Sequence, residues 1–374
     1  VVTLNPFSDI DVFVAGGGPA GLAAAIAARR RGFRVALADP GHPPIDKACG
    51  EGLLPDGVAA LAELGVALAS ADAVPFRGIR FLEAPLSAEA CFPSGNAVGV
   101  RRTALHRVLV ECAERAGVQL KWGTSVTAIG PEGVRLGAGT IVRCRWIIGA
   151  DGESSRVRSW AGIDSPAPPL RRFGFRRHYR VEPWTDFMEI YWSDAFQIYV
   201  TPVAPGEICV AAVSRDPHFR LEDALARMPD LAARLNGAAP VTTERGAVSA
   251  SRRLAAVWRG RVALVGDASG SVDAITGQGL SLAFRQALAL GAALEAGNLA
   301  RYAAEHRRLA RRAGLMAWFL LLTGRRRGLR ERALRALAAH PQVFARLVAA
   351  HAGAASHVDF AAAGMALGWR MLTP

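Results

Sequence analysis

The chain has 374 residues, 51% of them hydrophobic, enough for two closely packed domains or one large α/β unit with an inserted layer, so global disorder is excluded. The formal net charge of +13 rests almost wholly on arginine, with Lys47 and Lys121 the only lysines, and no basic run is interleaved with base-stacking aromatics, so no nucleic-acid partner is expected. Five scattered cysteines (49, 91, 112, 144 and 209) form no C-x-x-C pair, which disfavours a disulfide framework or structural zinc and suits a reducing compartment.

In chain order, residues 11–15 read as a buried strand, 20–31 as an alanine-rich helix ending near Gly32, and 34–38 as a second strand, a βαβ opening. Residues 101–115 read as an amphipathic helix carrying Leu105, Leu109 and Cys112 on one face, 119–122 and 127–129 as strands, and 145–148 as an apolar strand entering a glycine turn. Pro166, Pro168 and Pro169 then separate a stretch of different character. From 172 to 213 the residues alternate and carry Phe173, Phe175, Tyr179, Tyr191, Trp192 and Tyr199, which implies an antiparallel sheet inserted as a second layer. The first pattern returns as a strand at 261–265, a loop at 266–279 and a long helix from Leu280, followed by arginine-rich helical sequence. No signal-peptide pattern is read at the start, and the apolar run 315–323 is too short to span a bilayer, so a cytoplasmic location is expected.

Three constellations carry chemistry. Gly16-Gly17-Gly18-Pro19-Ala20-Gly21 is a G-x-G-x-x-G between strand and helix, in which successive glycines permit a tight turn, close approach of a pyrophosphate and close helix–strand packing. Asp39 closes the second strand, where a carboxylate can accept from a ribose. Asp151-Gly152 follows the strand at 145–148, with Ser155 and Arg158 beyond it, and Gly266-Asp267 follows the strand at 261–265, with Gly277-Gln278-Gly279 at a helix start. A dinucleotide stretched across one domain needs such distant loops from a single sheet, and simple nicotinamide dehydrogenases lack the later two.

These motifs together resemble the FAD-dependent aromatic hydroxylases, the para-hydroxybenzoate hydroxylase-like flavoproteins, whose relatives include halogenases and geranylgeranyl reductases. The resemblance extends to about residue 300. It implies an α/β fold, a Rossmann-like FAD-binding domain with an inserted, mostly antiparallel substrate sheet and C-terminal helices. The segments would be 8–75, 98–165 and 246–300 for FAD, 76–97 and 166–245 for the substrate layer, and 301–374 for the helices. It places FAD against Gly16, Gly18, Pro19, Ala20, Gly21, Asp39, Lys47, Arg102 (in Arg102-Thr103-Ala104-Leu105), Asp151, Gly266, Asp267, Gly277, Gln278, Gly279 and Leu280, with NAD(P)H as reductant. Backbone N–H groups at a helix start near Gly277 would favour negative charge on a reduced flavin.

Other features divide the family's chemistries. Lys47-Ala48-Cys49-Gly50-Glu51-Gly52 resembles the K-x-C-G-x-G loop of the reductases, where Cys49 is either a reactive thiol or a small packing residue. Ala274 stands where hydroxylases usually carry proline before G-Q-G, and Gln197-Ile198-Tyr199-Val200-Thr201-Pro202 occupies the place of the reductases' Y-x-W-x-F-P strand and the halogenases' W-x-W-x-I-P strand but keeps only the proline of either. Cys49, His178 and Tyr199 are the candidate catalytic side chains; no metal motif occurs among the eight histidines, so no catalytic metal is expected. The expected function is an NAD(P)H-dependent monooxygenase using molecular oxygen on a small apolar aromatic or polyketide-like substrate; the alternatives are a double-bond reductase of a lipophilic prenyl-type molecule and a catalytically silent FAD-binding partner protein. The C-terminal arginine-rich helices read as packed on the FAD domain with a solvated arginine face rather than as a surface for peripheral membrane contact.

Overall fold

The computed structural model describes residues 10–93, 95–137, 139–163, 170–324 and 326–372. Pro166, Pro168 and Pro169 lie outside the described residues.

Strand Val12–Ala15 is buried along its whole length, as an apolar run must be at the centre of a parallel sheet covered on both faces. The six-stranded sheet runs Trp258–Arg259, Val262–Leu264, Trp146–Gly149, Val12–Ala15, Val35–Asp39, Gln119–Trp122, with every pair parallel but the first. Val12 lies opposite both Val35 and Trp146, and Gly149 opposite Leu264, so the carboxyl ends are aligned. The loops that begin at Gly16, Pro40, Ala150 and Val265 therefore leave one common edge, where open α/β sheets bind ligands.

Helix Pro19–Arg29 opens on proline, whose fixed φ and missing N–H suit a first helical turn. Nine of its eleven residues are buried, and its small side chains let helix Gly279–Glu295 approach: a Cβ at Gly291 would stand 3.1 Å from the Ala27 carbonyl. The expected strand at 127–129 is Val126–Gly130, part of a small antiparallel sheet with Gly133–Leu136 and Ile141–Val142.

The second large sheet has eight strands. Leu170–Arg180 pairs antiparallel with Glu207–Ser214, and the order continues through Phe196–Ala204 and Phe187–Trp192 to Gly78–Glu83 and Leu86–Cys91, with Phe187–Trp192 and Gly78–Glu83 parallel. Segment Arg245–Ser251, at the point where the sequence reading returns to the FAD-binding segment, pairs instead with Leu170–Arg180. One face of this sheet is covered by the C-terminal helices, where Phe81 stacks on Trp192 (centroids 4.9 Å apart) and on Phe344 (5.4 Å). Arg330 is buried beneath them and stays charged because Glu83 and Asp194 bind its guanidinium.

Candidate active site

A cavity of about 610 Å³ opens along the carboxyl edge of the parallel sheet, within the range of small-molecule sites. It is walled by the three motif loops on one side and by Phe175, Met188, Tyr199 and Ala211 of the second sheet on the other.

The glycine loop separates into packing and ligand positions. Gly16 has φ +113, and a side chain there would run into the Ala150 carbonyl. Gly21 is closed off by the Gly16 carbonyl and does not line the cavity. Gly18, in contrast, has an extended φ of −68, and a Cβ there would meet nothing within 4 Å, so its open side faces the cavity. His106, which the motifs do not mark, bonds through Nε2 to the Gly17 carbonyl at 2.9 Å and steadies the loop from the helix Arg102–Arg115.

Asp39 accepts from the N–H groups of Gly17 (2.6 Å) and Gly41 (2.7 Å), one at each oxygen, and still borders the cavity. Asp267 pairs with Lys47 at 3.1 Å. Asp151 is committed locally: it accepts from the N–H groups of Arg156 (2.8 Å) and Val157 (3.1 Å) and from the Ser155 hydroxyl, fixing the start of helix Arg156–Trp160. Buried Arg158 donates to the carbonyls of Ala268 (3.2 Å) and Glu153 (2.9 Å), tying the Asp151 turn to the Gly266-Asp267 turn. Gly277 takes a left-handed φ of +64, and Gly279 and Leu280 begin a seventeen-residue helix at the cavity wall. The Gln278 side chain turns away and donates to the His351 carbonyl at 2.8 Å.

These residues fit FAD. The open side of Gly18, the helix start at Gly279 and the buried Arg102 Nε, which has no hydrogen-bond partner among the described residues, present donors and space to an anionic, elongated ligand.

The second sheet brings a cluster to the opposite wall. Glu51 is 1% exposed yet borders the cavity, at φ +58, a left-handed backbone that costs a non-glycine residue about 1–2 kcal/mol. Its Oε1 accepts from the Arg102 N–H at 2.9 Å, and its Oε2 lies 2.6 Å from His178 Nε2. His178 Nδ1 lies 3.0 Å from Thr242 Oγ1 and 3.0 Å from the Arg176 guanidinium, which also binds Asp46 at 2.7 Å. His178 thus stands behind Glu51 and not on the cavity wall. Cys209 Sγ lies close enough to complete a three-donor group with Glu51 and His178, but the Arg176 guanidinium, 3.8 Å from Glu51, occupies the group's flank with positive charge. The arrangement is that of a hydrogen-bond network.

Cys49 borders the cavity; burial pushes its thiol up, which keeps the less nucleophilic protonated form at neutral pH. The Tyr199 hydroxyl lies 2.8 Å from both the Ile275 carbonyl and Gln197 Oε1, and burial together with nearby Asp273 pushes its phenol far up, so it remains a neutral donor. Glu51 was not marked by any motif role; its only signal is a carboxylate set between two glycines.

Residues 9–311 match a protein family described as FAD binding domain. Menaquinone reductase from Mycobacterium tuberculosis is 29% identical over 330 residues, 80% of this chain and 78% of that protein. Dialkyldecalin synthase from Streptomyces rugosporus is 26% identical over 297 residues, 75% of this chain and 64% of that protein. Among solved structures, a flavoprotein/dehydrogenase from Cytophaga hutchinsonii superposes with TM-score 0.78 at 21% identity, covering 92% of this chain and 93% of its own.

Proposed function

Since the chain belongs to the FAD binding domain family, and is on that ground an FAD-dependent enzyme of the oxidoreductase and monooxygenase class, we propose that it saturates a carbon–carbon double bond in a lipophilic, prenyl-type molecule. The observation that carries this reading is the Glu51 carboxyl on the cavity wall with His178 directly behind it.

Saturating an isolated double bond adds a hydride to one carbon and a proton to the other. FAD supplies the hydride equivalent when bound. The proton must come from a group that faces the bound substrate, and on the side of the second sheet Met188, Tyr199 and Ala211 supply apolar wall around such a group. Glu51 is the group that delivers it, with Oε1 fixed by the Arg102 N–H and Oε2 2.6 Å from His178 Nε2. His178 and Thr242 form the path by which that proton is restored. Tyr199, locked onto the Ile275 carbonyl, keeps the cavity wall in place beside the helix start at Gly279. That helix end favours negative charge in the part of the cavity it faces.

The Lys47–Gly52 loop, similar to that of the reductases, and Ala274 in place of the hydroxylases' proline support the reading, as does the relative named menaquinone reductase. NAD(P)H is the proposed reductant. Lys47, Arg102, Asp39 and the open side of Gly18 are the proposed FAD contacts.

The test is anaerobic. Reduced holoenzyme mixed with prenylated quinones and prenyl lipids should yield, once any quinol has been reoxidised, a product two mass units heavier with both added hydrogens on the prenyl chain, and deuterium at the protonated carbon when the solvent is heavy water. No anaerobic turnover, together with incorporation of one atom of labelled oxygen into a phenolic or polyketide-like substrate in air, would replace the reductase with a monooxygenase.

A further inference from the structure

We propose that the exposed faces of the helices Leu299–Gly324 and His357–Leu372 form a docking surface for an anionic lipid bilayer, on which the protein lies without crossing it. The inference holds whichever reaction the cavity carries.

Eight large hydrophobic residues are exposed among those described, and seven sit on these two helices rather than scattered over the surface. The first helix buries Tyr302, Leu309, Met316 and Leu320 and turns the opposite stripe outward. That stripe starts with Arg301, Arg308 and Arg311 and then becomes Leu315, Trp318 and Leu322, with Trp318 63% exposed. On the second helix, Val358, Met365 and Leu372 recur every seven residues, hence on one face, and each is more than 70% exposed. The stripes adjoin: Leu315 shares a crevice with Ser356 and Phe360, and Arg312 donates to the Ala355 carbonyl at 2.6 Å.

Charge selects the occupant. Residues 301–372 contain thirteen arginines and three acids (Glu305, Glu331 and Asp359), so this fifth of the chain carries ten of its thirteen net positive charges. A second copy of the same face would bring like charge against like. An anionic bilayer accepts the apolar stripes between its acyl chains while the flanking arginines reach the headgroups along their aliphatic stems. No helix among the described residues is long and apolar enough to cross a membrane, which leaves the interfacial position.

Flotation of the FAD-loaded full chain with vesicles tests this. Phosphatidylcholine vesicles containing about one third phosphatidylglycerol should carry the protein up, pure phosphatidylcholine should not, and raising salt from about 0.05 M to about 0.5 M should release it. Trp318→Ser with Met365→Ser, and separately Arg308→Gln with Arg311→Gln, should each weaken binding about tenfold while flavin content and melting temperature stay at wild-type values. Equal binding to neutral vesicles, no binding to either, variants that bind like wild type, or a dimer that the serine variant dissociates in the absence of vesicle binding would each overturn the proposal.

Discussion

Glu51 Oε2 and His178 Nε2 lie 2.6 Å apart although 127 residues separate them, and the contact joins the cofactor-side loop to the second sheet. Glu51→Gln preserves shape and can still accept from the Arg102 N–H, but it cannot release a proton. It should retain FAD and leave flavin reduction by NAD(P)H near wild type, while the substrate half-reaction slows about a hundredfold or more. Stopped-flow measurement of the two half-reactions decides this: equal slowing of both, or of neither, would reduce Glu51 to a structural role.

The glycine loop yields a pair of variants with opposite readouts. Gly18→Val enters open space on an ordinary backbone, so the protein should purify without FAD and fold with the melting temperature of the wild-type apoprotein. Gly21→Ala drives a methyl group into the Gly16 carbonyl and should destabilise the fold itself by about 1–3 kcal/mol. A Gly18→Val protein that keeps its full complement of FAD would show that the cavity beside it is not the cofactor's.

The difference between these two glycines also marks what was legible in the sequence. Glycine spacing, strand runs and the Asp39 position report backbone necessities, and backbone necessities are local. Gly16 and Gly21 accordingly have backbone reasons in the structure, and Asp39 binds backbone N–H groups. Side-chain direction is not local. Gln278 sits in the expected motif yet faces the C-terminal helices, and Asp151 accepts from the Ser155 hydroxyl at one oxygen and from the N–H groups of Arg156 and Val157 at the other. His178 could be placed on an aromatic strand, but its position behind Glu51 depends on the register of Leu170–Arg180 against a loop far away in sequence. The apolar stripe at Leu315, Trp318 and Leu322 reads as core by hydropathy; only the packing of its helix shows that it faces outward.

Asp56 offers a stability test away from the cavity. Burial raises its carboxyl, outweighing the opposing pull of Arg285 and Arg312, so the folded state holds its proton more tightly than the unfolded chain. Its stabilising contribution is therefore complete below the unfolded value of about 3.9 and is lost as pH rises through the folded value. At neutral pH the buried carboxylate is a cost, and Asp56→Asn should raise the melting temperature at pH 7, with the gain shrinking toward pH 4. An equal or lower melting temperature at pH 7 would mean that the arginines need the charge more than burial penalises it.

Acid should act on the same fold through two buried histidines, with the opposite sign. His306 bonds through Nε2 to Ser269 Oγ at 2.9 Å, and Ser269 ends the turn Gly266–Ser269 that presents Asp267 to the cavity. His351 sits beneath the Gln278 contact. Burial pulls both imidazoles down to about 4, with Arg307 adding to the shift at His306. The unfolded chain protonates these groups near pH 6.5, well before the folded state does, so their contribution is complete above about pH 6.5 and disappears as pH falls toward about 4. Each can withdraw up to about 3 kcal/mol over that window. The melting temperature should therefore fall steeply between pH 6.5 and pH 4 in the wild type. In a His306→Gln, His351→Gln variant it should start lower at pH 7 but fall less steeply over the same range. Because Ser269 and Asp267 belong to one turn, FAD release followed by flavin fluorescence should track the His306 part of the transition. An acid slope unchanged by both substitutions would assign the loss to the carboxylates instead.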